Sequence, residues 1–376
     1  MAEKDSIVFI NQNAGYLMID IIHAHTQYKQ KAIITGKLIE RNLALNNSVK
    51  FEKIIAYNRS SFAKRLFTWS WGFVQILWLV KTKYRKADLF IVSNPPFASL
   101  VPFFCSNKFS LLVYDVYPDT LVAYKYIGVN SFVTRWWKKA NRSLFAKAQK
   151  IFTISEGMKK VLAQYIAANK IDIVPIWTDN AFLKPVAKAE NIFIKKYNLQ
   201  DKFLVMYSGN LGHSHNIEVL VEIAHAIDDK NIYFVIIGEG DKKQLIIEKI
   251  NKYQLANCIL LPWQETAMLP FSLSAADLAV VTLGKEASAL SVPSKTFNLM
   301  SVGVPLLCIA TAESELASLV EEYRVGKCFN PNDMEDMVAF IKEVKSNTIY
   351  RSNLQQNALE ASKHFGPENA LKFVAK

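Results

Sequence analysis

The sequence is poor in the residues that form disulfides and hold metals. It has four cysteines in 376 residues, widely separated and without a CxxC pair, which argues against both a disulfide framework and a zinc site. It also lacks an Asp-x-Asp pair and any cluster of histidines that could hold a divalent cation. We therefore expect a protein of a reducing compartment that needs no metal and no other cofactor.

Long apolar runs are missing as well. The most hydrophobic segment, residues 69–80, is shorter than the about 20 residues that cross a bilayer. Residues 1–12 carry Glu3 and Asp5 beside a short apolar strand, a composition unlike that of a secretory signal. These features predict a cytoplasmic protein.

Net positive charge is confined to one half of the chain. Residues 1–176 contain 25 Lys and Arg against 10 Asp and Glu, a net charge of +15, whereas the remaining 200 residues have 20 against 23, a net charge of −3. The partner of the basic half could be nucleic acid, an anionic membrane surface or an anionic substrate, and charge alone does not choose among them.

Apolar runs and helical patterns alternate along the whole chain, which is typical of parallel α/β sheets. In the first half we predict strands at 7–10, 89–93, 111–114, 151–154 and 171–176, with helices at 19–45, 62–86 and 132–150. In the second half we predict strands at 205–207, 233–237, 259–261, 278–282 and 305–308. The expected domains are 1–176 and 201–353, with a linker at 177–200 and a final helix at 354–376 that returns to the first domain.

Two of the predicted helices are both aromatic and basic. The helix at 62–86 has a tryptophan-rich centre between Lys64 and Lys81, and the helix at 132–150 places Trp136 and Trp137 beside Lys138. A helix buried in the protein would explain the apolar centre. A helix lying among lipid headgroups would explain it equally well, because tryptophan and lysine both favour that region.

The segment 203–220 predicts a strand, a glycine loop and a helix in succession. In an open parallel sheet, ligands bind beyond the carboxyl ends of the strands, where glycines let the backbone approach a diphosphate. The loop with Gly209 and Gly212 is therefore the first candidate phosphate site. The alternative is that these glycines only form a tight turn.

Two carboxylates, Asp115 and Asp119, follow another predicted strand directly. This position suits chemistry better than packing. Ser155 follows a further strand and has the character of an N-cap for a helix that begins near Glu156.

Short motifs along the whole chain resemble those of nucleotide-sugar-dependent glycosyltransferases of the GT-B type, in particular family 4, which includes bacterial enzymes for colanic acid and O-antigen. The motifs are SNPP at 93–96, DVYPD at 115–119, FTISEGMKK at 152–160, PIWTDN at 175–180, YSGNLG at 207–212, IIGEGDKK at 236–243, LPW at 261–263 and VPSKTFNLMSVGVP at 292–305. No single motif is decisive, but their order and spacing together are specific. The resemblance implies a GT-B fold, in which two Rossmann-like α/β domains face a central cleft.

The resemblance also implies roles for particular residues. The nucleotide sugar would be bound by Ser208, Gly209, Asn210, Gly212, His213, Gly238, Glu239, Gly240, Pro262, Trp263, Pro293, Ser294, Lys295 and Asn298. Lys295, Asp115 and Glu156 would be catalytic, and Asn13, Gly15 and Asp119 would lie on the acceptor side. Lys295 and the amides of the helix it opens would face the donor phosphates, where charge develops as the sugar leaves.

The chain departs from the family pattern at two points. Two glutamates eight positions apart are usual in family 4, but Leu290 and Asn298 stand at those positions here. The basic residue that often follows the glycine loop is also missing, and His213 and His215 occupy that region. Glu286, Ser294 and Lys295 are the candidates to compensate.

The predicted function is transfer of a sugar, with retention of configuration, from a nucleotide-diphosphate sugar to a lipid-linked glycan acceptor in surface polysaccharide biosynthesis. The enzyme would lie on the inner face of the cytoplasmic membrane and bind no nucleic acid. A GT-B sugar-nucleotide epimerase would share the fold but would not need a membrane-facing half. A non-catalytic membrane-binding or nucleic-acid-binding protein would explain the charge but not the SGNLG, PSK and DVYPD motifs.

Overall fold

The computed structural model describes residues 4–41, 43–58, 60–93, 96–123, 125–212, 216–284 and 292–374. Contacts between residues divide the chain into two compact units. The first unit comprises Met1–Pro175 and Pro367–Lys376, and the second comprises Ile176–Gly366.

The first unit is built on a parallel sheet of seven strands. In chain order, the elements of this unit are β1 (Lys4–Ile10), β2 (Asn13–Ala14), α1 (Tyr16–Ala24), β3 (Tyr28–Thr35), β4 (Lys37–Leu38), β5 (Lys50–Lys53), α2 (Phe62–Thr82), β6 (Asp88–Val92), β7 (Phe109–Val113), α3 (Asp119–Ala123), α4 (Phe132–Lys147), β8 (Lys150–Thr153), α5 (Glu156–Leu162) and β9 (Ile171–Ile173). The strand order is β5-β3-β1-β6-β7-β8-β9, and β2 pairs separately with β4. The central strands are buried apolar runs, as expected for a parallel sheet covered on both faces.

The second unit is built on a parallel sheet of six strands. In chain order, its elements are α6 (Ile192–Tyr197), β10 (Phe203–Ser208), α7 (Glu218–Ala226), β11 (Ile232–Ile237), α8 (Lys243–Lys252), β12 (Cys258–Leu261), α9 (Leu269–Ser274), β13 (Leu278–Thr282), α10 (Ser294–Ser301), β14 (Leu306–Ile309), α11 (Glu315–Tyr323), β15 (Gly326–Phe329), α12 (Met334–Ser346) and α13 (Thr348–Ser362). The strand order is β12-β11-β10-β13-β14-β15. The prediction of two parallel α/β domains is confirmed.

The predicted helix at 19–45 is wrong. The helix α1 ends at Ala24, and the strand β3 follows and pairs in parallel with β1. Apart from the buried Tyr28 at its start, the apolar residues of this strand lie in its second half, beginning at Ala32, while Lys29, Gln30 and Lys31 are polar and at least partly exposed. The sequence pattern therefore does not reveal β3, a strand that is stabilised by pairing with β1.

The boundaries of the two units differ from the predicted domain boundaries. Residues 177–200, predicted as a linker, lie in the second unit, where Lys188 donates to the carboxylate of Asp277 over 2.7 Å. The helix α13 packs on α10 in the same unit, so the return to the first unit begins at Pro367 rather than at residue 354. The final helical turns, Pro367–Phe373, pack on α1, and the ring of Phe373 lies 4.8 Å from that of Phe152.

No helix within the described ranges is both long enough and apolar enough to cross a membrane. The longest helix, α2, buries one face, with Ile76, Leu79 and Val80 at 5% exposure or less. Its other face is exposed, so it is not a fully buried helix.

Candidate active site

The loop after β10 is joined to the loop after β11 by backbone hydrogen bonds. The amide of Gly209 donates to Ile237 over 2.9 Å, and the amide of Leu211 donates to Glu239 over 2.9 Å. These two amides are therefore not free to bind an anion. The amides of Asn210 and Gly212 have no partner among the described residues, and they are the donors that the predicted phosphate loop retains.

The two glycines of the loop after β11 allow this close approach. A Cβ on Gly238 would lie 2.0 Å from the carbonyl oxygen of Gly209, and a Cβ on Gly240 would lie 2.6 Å from the carbonyl carbon of Leu211. Both glycines also have positive φ angles, +157° and +149°, which other residues rarely adopt. Their observed contribution is to hold two loops together, while their contact with the nucleotide sugar stays a prediction.

Lys295 lies beside the glycine loop at the beginning of α10. Its ammonium group donates a hydrogen bond to the hydroxyl of Tyr207 over 2.9 Å and lies 4.0 Å from the centre of the Tyr207 ring. The space for the ammonium exists because residue 209 is glycine, since a Cβ there would lie 2.5 Å from Nζ. The fold thus brings together two predicted site residues that are far apart in the sequence.

Tyr207 is a site residue that the sequence reasoning missed. Its buried hydroxyl accepts from Lys295 and donates to the carbonyl oxygen of Asn210 over 2.8 Å. Burial raises the pKa of Tyr207, so the phenol stays neutral and can make both bonds. The sequence feature that could have identified Tyr207 is its position as an aromatic residue near the end of an apolar strand that leads into the glycine loop.

Burial lowers the pKa of Lys295 from its ordinary value of 10.5 to about 7. Below pH 7 the lysine is protonated in both the folded and the unfolded chain, and the cost of burying its charge is fully present. Between pH 7 and 10.5 the unfolded chain binds more protons than the folded one. The cost of burying Lys295 therefore decreases, and the free energy of unfolding rises, as pH rises through this range.

We expect Lys295→Met to raise the midpoint of urea denaturation at pH 7 and to raise it less at pH 9.5, because the methionine removes the cost of burying the charge. Denaturation curves of both proteins at several pH values measure the difference. Lys195→Met, at an exposed lysine, is the matched control for the loss of one charge. A difference for Lys295→Met that stays constant from pH 7 to 9.5 would contradict the assignment.

Among the described residues, no side chain caps the amides in the first turn of α10. Pro293 precedes the helix without a cap hydrogen bond, and Ser294 is exposed. The amide of Thr296 donates to the carbonyl oxygen of Pro293 over 2.9 Å, so the amides of Ser294 and Lys295, with the positive end of the helix dipole, are the groups that suit an anion there. Asn298 lies one turn further, where its side-chain oxygen accepts from the hydroxyl of Thr178 over 2.6 Å.

The remaining residues that are predicted to bind the nucleotide sugar lie at the same edge of the sheet. Ser208 ends β10, and Pro262 and Trp263 follow β12, with Trp263 about half exposed. Glu239 pairs with Lys243 over 2.9 Å. The carboxyl ends of β10, β11 and β12 are neighbours, so the loops that follow them gather at one edge. His213, His215, Glu286 and Leu290 lie outside the described residues.

The predicted catalytic residues of the first unit follow two neighbouring strands. Asp115 follows β7 and is partly buried, which raises the pKa of its carboxyl group. Glu156 is exposed at the first position of α5, after β8. The predicted N-cap, Ser155, is confirmed, because its hydroxyl accepts from the amide of Met158 over 3.1 Å.

The residues predicted on the side of the glycan acceptor differ in their contacts and exposure. Asp119 accepts from the hydroxyl of Tyr165 and pairs with Lys138 over 3.2 Å, so its carboxylate stabilises the local structure. Asn13 is exposed in β2, and Gly15 precedes α1.

In the described part of the chain, no group of three or more His, Cys, Asp and Glu side chains could hold a metal ion.

Comparison with known proteins identifies relatives. A protein of Escherichia coli named for colanic acid biosynthesis as a glycosyl transferase, WcaI, is 29% identical over 218 residues, which is 56% of this chain and 54% of that protein. The match thus spans about half the length of that relative. A protein of Pseudomonas aeruginosa named as a glycosyltransferase, WbjE, is 24% identical over 74% of this chain and 73% of its own.

Solved structures with the same fold cover nearly the whole chain. Sucrose-phosphate synthase from Thermosynechococcus elongatus has a TM-score of 0.74 and 16% identity, over 98% of this chain and 97% of that chain. HepE from Anabaena, solved with UDP-glucose, has a TM-score of 0.71 and 13% identity over the same shares. At this identity the likeness shows the fold alone.

The two parallel sheets and these neighbours define the GT-B fold of glycosyltransferases. Residues 189–361, which lie in the second unit, match the family described as glycosyl transferases group 1.

Proposed function

We propose that the protein is a glycosyltransferase of surface polysaccharide biosynthesis that takes its sugar from a nucleotide-diphosphate sugar. The observation that carries the proposal is the ammonium group of Lys295, which Tyr207 holds beside the glycine loop and the uncapped first turn of α10. The WcaI relative, named for colanic acid biosynthesis, and the binding of UDP-glucose by HepE support the substrate class.

Lys295 would stabilise the leaving nucleoside diphosphate. As the bond between the sugar and the diphosphate breaks, negative charge grows on the phosphate oxygens, and a fixed cation and free amides lower the energy of that state. The charge of the bound diphosphate favours the protonated form of Lys295, which opposes the effect of burial. No metal is needed in this scheme, and retention of configuration is the outcome expected from the family resemblance.

Asp115 and Glu156 are proposed to act on the transferred sugar and the acceptor. Burial raises the pKa of Asp115, and its carboxyl oxygens are proposed to accept a hydrogen bond from a sugar hydroxyl. Glu156 is exposed and is available to a ligand. Asn13 and Gly15 follow β1, a strand of the same seven-stranded sheet as β7 and β8. They complete the proposed acceptor side.

A nucleotide screen tests this function. We expect UDP or GDP to raise the melting temperature with or without EDTA, because a ligand that binds only the folded state stabilises it. The matching sugar nucleotide should release nucleoside diphosphate when an acceptor is present. Equal shifts with every nucleotide, or a shift that EDTA abolishes, would contradict the proposal. Conversion of the donor sugar without any acceptor would instead favour an epimerase.

The acceptor is proposed to be lipid-linked, because one helix of the first unit has the pattern of a membrane-surface helix. In α2, residues 64, 67, 71, 74, 78 and 81 are spaced alternately three and four apart, so they form one stripe along the helix. The stripe reads Lys, Phe, Trp, Val, Trp, Lys, and its four apolar members are between 49% and 62% exposed. We call this set the α2 stripe.

The length and charge of the α2 stripe suit a bilayer surface. A helix of 21 residues is about 31 Å long, so it can lie along the headgroup region with tryptophans at the apolar boundary and lysines at both ends. The helix α4 adds exposed Phe132, Val133 and Trp136 close to the basic Arg135. We therefore propose peripheral binding at the inner face of the cytoplasmic membrane.

A further inference from the structure

A basic groove lies at the end of α2, in the first unit. It has a volume of about 580 Å³ and is lined by the beginning of β5, by parts of β1 and β3, and by the segment that joins α2 to β6. Because β5 and β6 both begin here, the groove lies at the amino edge of the parallel sheet. The candidate acceptor residues follow the carboxyl ends of the strands, so the groove is separate from them.

The lining of the groove is strongly positive. It contains Lys31, Lys50, Lys83, Arg85 and Lys86, against a single carboxylate, Glu52. Glu52 is already engaged, because it accepts from Lys83 over 3.0 Å and from the hydroxyl of Tyr84 over 2.8 Å. In the described ranges, Lys50, Arg85 and Lys86 form no salt bridge, although the charge of Lys50 also acts on Glu52, so all three cations are available to an anion.

One further cation lies deeper in the lining. The ammonium of Lys31 donates to the carbonyl oxygen of Ile22 over 3.0 Å, and partial burial lowers the pKa of this lysine. An anion in the groove would offset that unfavourable burial. Several lysines and an arginine around one concave space are the usual way in which proteins bind phosphate groups.

The position of the groove on the helix indicates where the phosphate comes from. The α2 stripe ends at Lys81, and the lining of the groove begins at the next residue, Thr82, and continues through Lys86. A helix that lies at the bilayer surface brings the residues at its end to the depth of the lipid phosphates. A soluble phosphate would not require the groove to continue an exposed aromatic stripe.

We propose that this groove binds the phosphate headgroup of an anionic membrane lipid and thereby fixes the position of the first unit on the bilayer. The proposal rests on the membrane binding included in the proposed function, and it adds a defined headgroup site to a general electrostatic attraction. The α2 stripe supplies the apolar contact, and the groove supplies the phosphate contact.

The test compares two sets of three neutralised cations in the same unit. The groove variant is Lys50→Gln with Arg85→Gln and Lys86→Gln, which leaves the bonds of Glu52 intact. The control variant is Lys147→Gln with Lys160→Gln and Lys170→Gln, at three exposed lysines outside the groove. Binding is measured by sedimentation with vesicles of phosphatidylcholine alone and of phosphatidylcholine mixed with phosphatidylglycerol.

We expect the groove variant to bind the mixed vesicles about 10²-fold more weakly than the parent, at roughly a factor of five for each cation near an anionic surface. The control variant should lose much less. Equal losses in the two variants would overturn the groove as a site, and so would an absence of binding by the parent. Competition by millimolar inorganic phosphate as effective as that of the anionic vesicles would overturn the lipid as the ligand.

Donor binding separates this inference from the proposed activity. The groove variant should keep the full increase in melting temperature with the nucleotide that stabilises the parent, because Lys295 and the glycine loop lie in the other unit. If no nucleotide stabilises the parent although it binds mixed vesicles, the proposed activity fails and the headgroup site stands.

Discussion

Lys295→Ala is expected to lower the rate of sugar transfer by about 10²-fold or more, which is the effect of removing one group that stabilises charge in a transition state. The ammonium group of Lys295 is held by the hydroxyl and the ring face of Tyr207, and the alanine leaves neither a cation nor a donor in its place. Turnover with a saturating donor, measured as release of nucleoside diphosphate, tests the prediction.

Two further variants make this test specific. Lys195→Ala removes an exposed lysine of the same unit and should leave turnover within a few-fold of the parent. Gly209→Ala keeps Lys295 but places a Cβ where its ammonium lies, so it should displace the cation and also slow transfer. If Lys295→Ala keeps activity close to that of the parent, the lysine does not stabilise the leaving group.

Trp71→Glu combined with Trp78→Glu is expected to weaken binding to anionic vesicles by roughly 10²-fold, since the two exposed rings supply much of the apolar area of the α2 stripe. The two side chains are 49% and 60% exposed, so the buried face of the helix and the fold should be preserved. Sedimentation with vesicles of phosphatidylcholine and phosphatidylglycerol measures the change.

The matched control replaces exposed apolar residues of the other unit, Leu245→Glu with Ile349→Glu, and adds the same negative charge. We expect this control to bind vesicles nearly as well as the parent. Undiminished binding of the tryptophan variant would show that the stripe serves another partner, and the proposal of a lipid-linked acceptor would then lose its main physical support.

The sequence by itself determined the alternation of strands and helices in both halves. Strands buried in a parallel sheet are continuous apolar runs, and β10 and β13 are visible for that reason. Local capping was equally readable, because the bond from the amide of Met158 to Ser155 spans only three residues. The strand β3 was not readable, because its polar first half has no local pattern and its stability comes from pairing with β1.

Only the tertiary structure decided which residues meet at the candidate site. Tyr207 and Lys295 are separated by 88 positions, and no periodicity links them. The glycines after β11 were visible as a loop, but their close contact with the backbone of Gly209 depends on how two neighbouring strands end. The packing of α2 likewise determined that its tryptophan stripe is exposed, because burial depends on what covers a helix and not on its composition.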